Sequence, residues 1–327
     1  MKRIKTLLQT AVGIVSVTAI ALSMTACGGH KHKWVWRHSD AEHWQICAEE
    51  ECGQELENSR ASHDVSSCET CITFRVLAFG VVTNVDFDAK HADFAREANQ
   101  WFKQKGEVLG FSYTHTTDWN DLNDENLAKY ELVMFLNDKP TQDEPRAAFQ
   151  RYMENGGAWM GYHSAAFEMK SIEKNIWDWY HKDFLGSGEY WKNTWNPTGE
   201  TLHVETQDHF STSNLPETFL SAPNEWYAWE AWENEESDLY GNPDITVLLT
   251  LDKSTFPVGN NPNKPNEIWT EYDYYPVAWT NQNYKMVYMN MGHNLQNYND
   301  FEKESETFSQ EWQNRFVLDS MFGLINS

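Results

Sequence analysis

The chain has 327 residues, with 49 Asp and Glu against 25 Lys and Arg and a formal charge of −24. So acidic a surface argues against a nucleic-acid partner, whose phosphates need a basic footprint, and favours neutral or cationic ligands. The length suffices for one large core or a core plus a small module, and 16 Trp with 14 Tyr supply aromatic faces for a core or for stacking on sugar rings.

Lys2, Arg3 and Lys5 precede an apolar stretch from Ala11 to Leu22, which is too short to span a bilayer comfortably. Ser23-Met24-Thr25-Ala26-Cys27 closes it with small residues. A charged start, an apolar middle and a small-residue cleavage site make a secretory signal over residues 1–26. Its cysteine makes it resemble a bacterial lipoprotein signal, in which cleavage leaves Cys27 as a lipid-bearing N-terminus, although Met24 stands where leucine is usual. Gly28 and Gly29 in place of Asp imply passage to the outer membrane of a Gram-negative host. The expectation is an exported, lipid-anchored protein on the periplasmic face or the cell surface; an ordinary signal cut near Ala26 is the alternative. No later stretch is long and apolar enough for a transmembrane helix.

Residues 27–72 have a character of their own, carrying His30, His32, His38, His43 and His63 and four further cysteines. The spacing is Cys47-x4-Cys52-x15-Cys68-x2-Cys71. Two close pairs separated by a loop resemble a zinc ribbon, in which each pair gives two thiolates to one tetrahedral ion. His43 to Cys47, followed by Cys52-Gly53, also resembles small His/Cys repeats of bacterial surface proteins, with two extra residues between the cysteines. Two disulfides compete with zinc, because exported chains meet oxidising conditions. Either way the cysteines are staples for a segment too small to bury a core.

From Thr73 to the end the pattern alternates between strand and helix. Phe74 to Val82 is an apolar, β-rich run with no alternation, as a buried parallel strand requires. Phe94, Ala98, Trp101 and Phe102 recur at helical spacing within Ala89 to Lys105. Val108 to Tyr113 and Leu132 to Leu136 read as strands. Asp143 can cap a helix with Pro145 in its first turn; Phe149, Tyr152 and Met153 form its inner face, and Gly156-Gly157 ends it. Next comes Ala158-Trp159-Met160-Gly161-Tyr162-His163-Ser164-Ala165-Ala166, a short buried strand running into a tight turn. Such strand-to-helix turns hold one residue outward as an elbow, and here that residue is His163.

The second half reads as a helix at Trp177 to Leu185, strands at Thr201 to Glu205 and Ile245 to Leu251, and an aromatic, acidic stretch from Asn224 to Glu233. A loop follows over residues 257–266, then short strands at Val277 to Thr280 and Met286 to Met291, the latter leading into Gly292-His293. A last helix carries Phe308, Trp312, Phe316 and Met321 and stops at Gly323. Strands alternating with helices predict a three-layer α/β fold, a mostly parallel sheet with helices on both faces.

Residues 74–326 resemble the ThuA-like family, named for trehalose utilisation, whose fold is similar to class I glutamine amidotransferases and is flavodoxin-like. The resemblance rests on Phe74 to Phe79, Asn126 to Val133, Gly161-Tyr162-His163-Ser164-Ala165-Ala166, Asn224-Glu225-Trp226-Tyr227, Leu248 to Asp252, Pro276 to Trp279 and Gly292-His293. It implies catalytic roles for His163, Glu225 and His293. The family's first-loop histidine carries over to His91, although Phe87-Asp88-Ala89-Lys90-His91 departs from the family's Phe-Arg-His.

A glutamine amidotransferase needs a cysteine nucleophile at the elbow. His163 stands there and every cysteine precedes residue 72, so that activity is excluded. The resemblance implies an enzyme acting on a sugar or an oxidised sugar derivative by isomerisation, elimination or hydrolysis, since histidine and glutamate exchange protons near neutral pH. The competing expectation is a non-catalytic carbohydrate-binding lipoprotein. In both, Trp226, Tyr227, Trp229 and Trp279 serve as substrate-binding platforms. His91, His163 and His293 are also the makings of a three-histidine metal site.

Overall fold

The computed structural model describes residues 30–49, 51–65, 67–82, 89–169, 175–194, 197–229, 239, 242–252, 275–295 and 302–327. The signal segment, Cys27, the Phe87-Asp88 part of the first loop, Glu230 to Glu233 and the loop at 257–266 lie outside them.

Strands β1 (Trp34–His38), β2 (Glu42–Cys47) and β3 (Ala61–Ser62) form a small antiparallel sheet. Between residues 30 and 71, the only buried side chains among those described are His38, Cys47 and Cys71. An apolar core is therefore not what holds this segment together. It docks on the carboxyl end of α1 (Ala89–Leu109): His38 Nε2 donates to the Gly106 carbonyl at 2.9 Å and Arg37 to that of Val108 at 2.9 Å. Lys103 also pairs with Asp40 at 2.7 Å.

The remainder begins with β4 (Phe74–Phe79), which leads into α1 and then β5 (Phe111–Thr116). There follow α2 (Asp124–Leu127), β6 (Leu132–Leu136), α3 (Asp143–Glu154) and β7 (Ala158–Tyr162). Strands β8 (Tyr190–Asn193) and β11 (Tyr227–Trp229) pair as a separate antiparallel ribbon. Strands β9 (Thr201–Val204), β10 (Thr218–Leu220), β12 (Ile245–Leu251), β13 (Pro276–Asn281) and β14 (Lys285–Met289) join the main sheet, and α4 (Glu311–Asn326) closes the chain.

The main sheet has the order β10-β9-β12-β13-β14-β7-β6-β4-β5. Its block β5-β4-β6-β7-β14 is parallel throughout, and its order along the chain is that of a doubly wound, flavodoxin-like sheet. The expected three-layer α/β fold is present, with an antiparallel extension through β13, β12, β9 and β10. Alternate residues of β4 face opposite layers. Val76 and Ala78 pack with Phe94, Phe102, Phe316 and Met321 of α1 and α4. Leu77 and Phe79 pack with Phe149 of α3 and with Tyr180 and Phe184. No helix among the described residues is long and apolar enough to cross a membrane.

Several boundaries differ from the sequence reading, three of them in the helices. Helix α1 runs on to Leu109, and Gly110, with φ +80°, makes the break before β5. The segment Trp179–Leu185 is wound as a π-helix. Helix α4 passes through Gly323 because a Cβ there would collide with the Phe210 ring. That glycine permits close packing rather than ending a helix.

Candidate functional site

In a doubly wound sheet the ligand crevice lies beyond the carboxyl ends of the parallel strands, and four of the expected residues meet there. His163 follows β7 directly and begins a 3-10 turn over His163–Ala166. Its φ is +47°, a left-handed conformation that a non-glycine residue adopts at a cost of about 1–3 kcal/mol. His293 follows β14 after Gly292, and His91 lies in the first turn of α1. The three rings surround one point, with centroids 5.2–5.6 Å apart. Glu225, just before β11, enters from the ribbon: its Oε2 is 3.4 Å from His163 Nε2 and 3.9 Å from His293 Nε2.

Asparagines hold this constellation. At the end of β6, Asn137 also has a left-handed φ of +61°; its side-chain amide donates to the Gly292 carbonyl, and its own carbonyl accepts from Ser164 Oγ at 2.8 Å. Gly292 has φ +149°, and a Cβ there would lie 2.9 Å from that of His163. Its N–H donates to Asn224 Oδ1 at 2.9 Å. Asn193 of β8 donates to Glu225 Oε1, so the β8–β11 ribbon sets the carboxylate's position. These asparagines, with Asn290, were missed in sequence. The signal available was Asn290 three residues before His293 and Asn224 next to Glu225.

Asn290 also fixes the tautomer of His163. The Tyr227 N–H donates to Asn290 Oδ1 at 2.6 Å, which leaves Asn290 Nδ2 to donate to His163 Nδ1 at 2.8 Å. The proton of a neutral ring must then sit on Nε2, facing Glu225. Neutral it is: complete burial, reinforced by His91, holds the His163 pKa well below that of an ordinary histidine. The Tyr227 ring lies 4.2 Å from the imidazole, and Tyr288 Oη donates to the His163 carbonyl at 2.8 Å.

The aromatic platforms are corrected by this packing. Trp226, Trp229 and Trp279 are 2%, 0% and 0% exposed. Trp226 and Trp279 spend their indole N–H groups on the Thr198 and Leu185 carbonyls, and Trp279 packs against Tyr288. They are core side chains with no face to offer a sugar; Tyr227, also buried, lies against the His163 ring. The three-histidine metal set is also rearranged. Among the described residues, it is His91, Glu225 and His293 that bring one ligand atom each within 4.8 Å of one another. A cleft of about 680 Å³ lies at the opposite, amino-terminal edge of the strands, where Arg151 pairs with Asp124; it is remote from these histidines.

The N-terminal cysteines do not converge on one point. They fall into two groups that could each hold a metal, His30, His32, Cys47 and Cys52 in one and His43, His63, Cys68 and Cys71 in the other. No disulfide joins them. Sequence reading noted the histidines and a His/Cys repeat at His43 to Cys47, but took only the four cysteines as ligands or disulfide partners.

A parallel α/β sheet with a strand-end elbow that carries histidine defines a glutamine amidotransferase-like fold without the amidotransferase nucleophile. The chain belongs to the ThuA family, described as trehalose utilisation, which matches residues 81–306. A search of curated proteins finds no match. Among solved structures, a ThuA-like protein of Bacteroides uniformis is 30% identical, with TM-score 0.65 over 79% of this chain and 94% of that one. A ThuA-like protein of Parabacteroides merdae is 14% identical, with TM-score 0.47 over 78% and 91%. The family's description points to a sugar-related role.

Proposed function

We propose that the chain is a carbohydrate-utilisation enzyme, held outside the cytoplasm by lipid on Cys27, that transfers a proton on a sugar or oxidised sugar derivative. The observation that carries this is the His163–Glu225 pair: a buried, neutral imidazole whose Nε2–H faces a carboxylate at 3.4 Å. That separation is too long for a tight hydrogen bond, so both groups keep capacity for a ligand. Glu225, half-buried and acceptor-only when ionised, is the proton acceptor. His163 is the donor to the oxygen on which charge develops, the role a neutral imidazole fills in an electrophilic site. His91 and His293 complete the polar wall. Isomerisation, elimination and hydrolysis of an oxidised sugar all begin with such a transfer.

The test is to incubate the full chain with sugars and keto-sugars in D2O and follow C–H exchange and product formation by NMR. Exchange or turnover that is lost in Glu225→Gln and His163→Ala supports the reading. Binding without exchange or turnover in the parent overturns it in favour of a carbohydrate-binding protein. The grouping of His91, Glu225 and His293 supports a second reading, in which a divalent ion there generates the nucleophile. Activity would then disappear on chelation, whereas metal-free proton transfer survives it.

A further inference from the structure

We propose that residues 30–71 form a two-zinc module, with one ion bound by His30, His32, Cys47 and Cys52 and a second by His43, His63, Cys68 and Cys71. This stands independently of the function proposed above.

The distances carry the assignment. Tetrahedral zinc holds sulfur at ~2.3 Å and imidazole nitrogen at ~2.0–2.1 Å, so the edges of its ligand tetrahedron are ~3.4–3.8 Å. In the first group His30 Nε2 lies 3.3 Å from Cys47 Sγ, and His32 Nδ1 lies 3.5 Å from Cys52 Sγ. In the second, His43 Nδ1 is 3.5 Å from Cys68 Sγ and His63 Nδ1 is 3.4 Å from Cys71 Sγ, with the two sulfurs 3.3 Å apart. All four ligand atoms of each group lie within 4.8 Å of one another. Isolated thiol–imidazole hydrogen bonds would account for pairs, but not for two sets of four that each contain two sulfurs and two nitrogens.

Orientation agrees. His63 Nε2 donates to the Ser39 carbonyl at 2.7 Å, which puts the proton on Nε2 and turns the Nδ1 lone pair toward the cysteines. Metal-bound histidines are commonly fixed through their other nitrogen in this way. His43 and Cys47 both lie on β2, four residues apart, which is ~13 Å along a strand. The groups are therefore two mononuclear sites sharing a strand, not one bridged cluster. Two thiolates with two imidazoles suit zinc. Cys47 and Cys71, buried where a larger domain would place apolar residues, make the metal centres the core of this segment.

The test is metal analysis of the purified, reduced full chain, with cobalt titration of the same protein. Two zinc equivalents are expected, with a cobalt titration that breaks at two and shows thiolate charge-transfer and tetrahedral d–d bands. Cys47→Ser and His30→Ala should each remove one equivalent, as should Cys68→Ser and His63→Ala at the other site. The histidine variants separate this from a single four-cysteine site, which would lose nothing in either. An ion in the main pocket would survive all four variants and leave these differences intact. A mass four hydrogens lower before reduction, with no bound zinc, or one equivalent unaffected by the histidine substitutions, would overturn the proposal. Because the cobalt titration uses the unaltered chain, a variant that fails to fold does not shelter it.

Discussion

At the residue scale, the site turns on where one proton sits. Asn290 donates to His163 Nδ1 because its oxygen is taken by the Tyr227 N–H. In Asn290→Asp the carboxylate would accept from both, drawing the imidazole proton to Nδ1 and leaving Nε2 an acceptor that faces the Glu225 carboxylate. Turnover should fall by about 10²–10⁴, the usual contribution of one proton-transfer group, while the 15N shifts of His163 report the exchanged tautomer. A loss of activity with the tautomer unchanged would refute this account. The pH dependence follows from burial. The folded-state pKa of His163 lies below its unfolded value, so the ring's contribution to stability is complete above pH ~6.5 and is lost as pH falls through the folded pKa. His209, whose pKa burial lowers to about 4, acts with the same sign, losing its contribution between pH ~6.5 and about 4. Thermal melts should therefore fall steadily on acidification below pH ~6.5, and His209→Gln should flatten that slope.

At the element scale, two glycines are held by what a Cβ would meet, and for Gly323 this opposes helix propensity. Gly323 lies inside α4, where alanine normally gains about 0.5–1 kcal/mol. Its Cβ would overlap the Phe210 ring, and such overpacking costs about 1–3 kcal/mol. Gly323→Ala should lower the denaturant midpoint, and a raised midpoint would show that Phe210 yields. Gly292→Ala meets both a positive φ and the His163 Cβ, so it should reduce activity as well as stability. The sequence made some elements plain and concealed others for physical reasons. Strand β6 is an unbroken apolar run buried on both faces, and β4 and β12 are mostly apolar and mostly buried, so composition alone reveals them. Strand β10 is a three-residue edge element with exposed ends, which nothing local distinguishes from loop. His163 was legible because an elbow needs small neighbours on both sides, whereas the asparagines around it were not, since their partners lie up to 155 residues away. Tryptophans are equally suited to a core or to a platform, and for Trp279 the contacts with Trp229, Tyr288 and the Leu185 carbonyl decide.

At the scale of the whole molecule, the signal reading predicts a lipid on Cys27, to be tested by fractionating cells that express Cys27→Ser. The variant should leave the membrane fraction; unchanged retention would remove the anchor from the proposal. If the tether holds, α1 gives the protein an orientation. The helix carries His91 in its first turn, and its last turns grip the N-terminal sheet through Gly106 and Val108. Its 21 residues span ~31 Å at 1.5 Å per residue. The anchored segment and the histidine pocket thus sit at opposite ends of one rigid strut. A protein fastened beside His30 would stand with its N-terminal segment as the foot and His91 ~22–26 Å further along α1 from the grip at Gly106 and Val108.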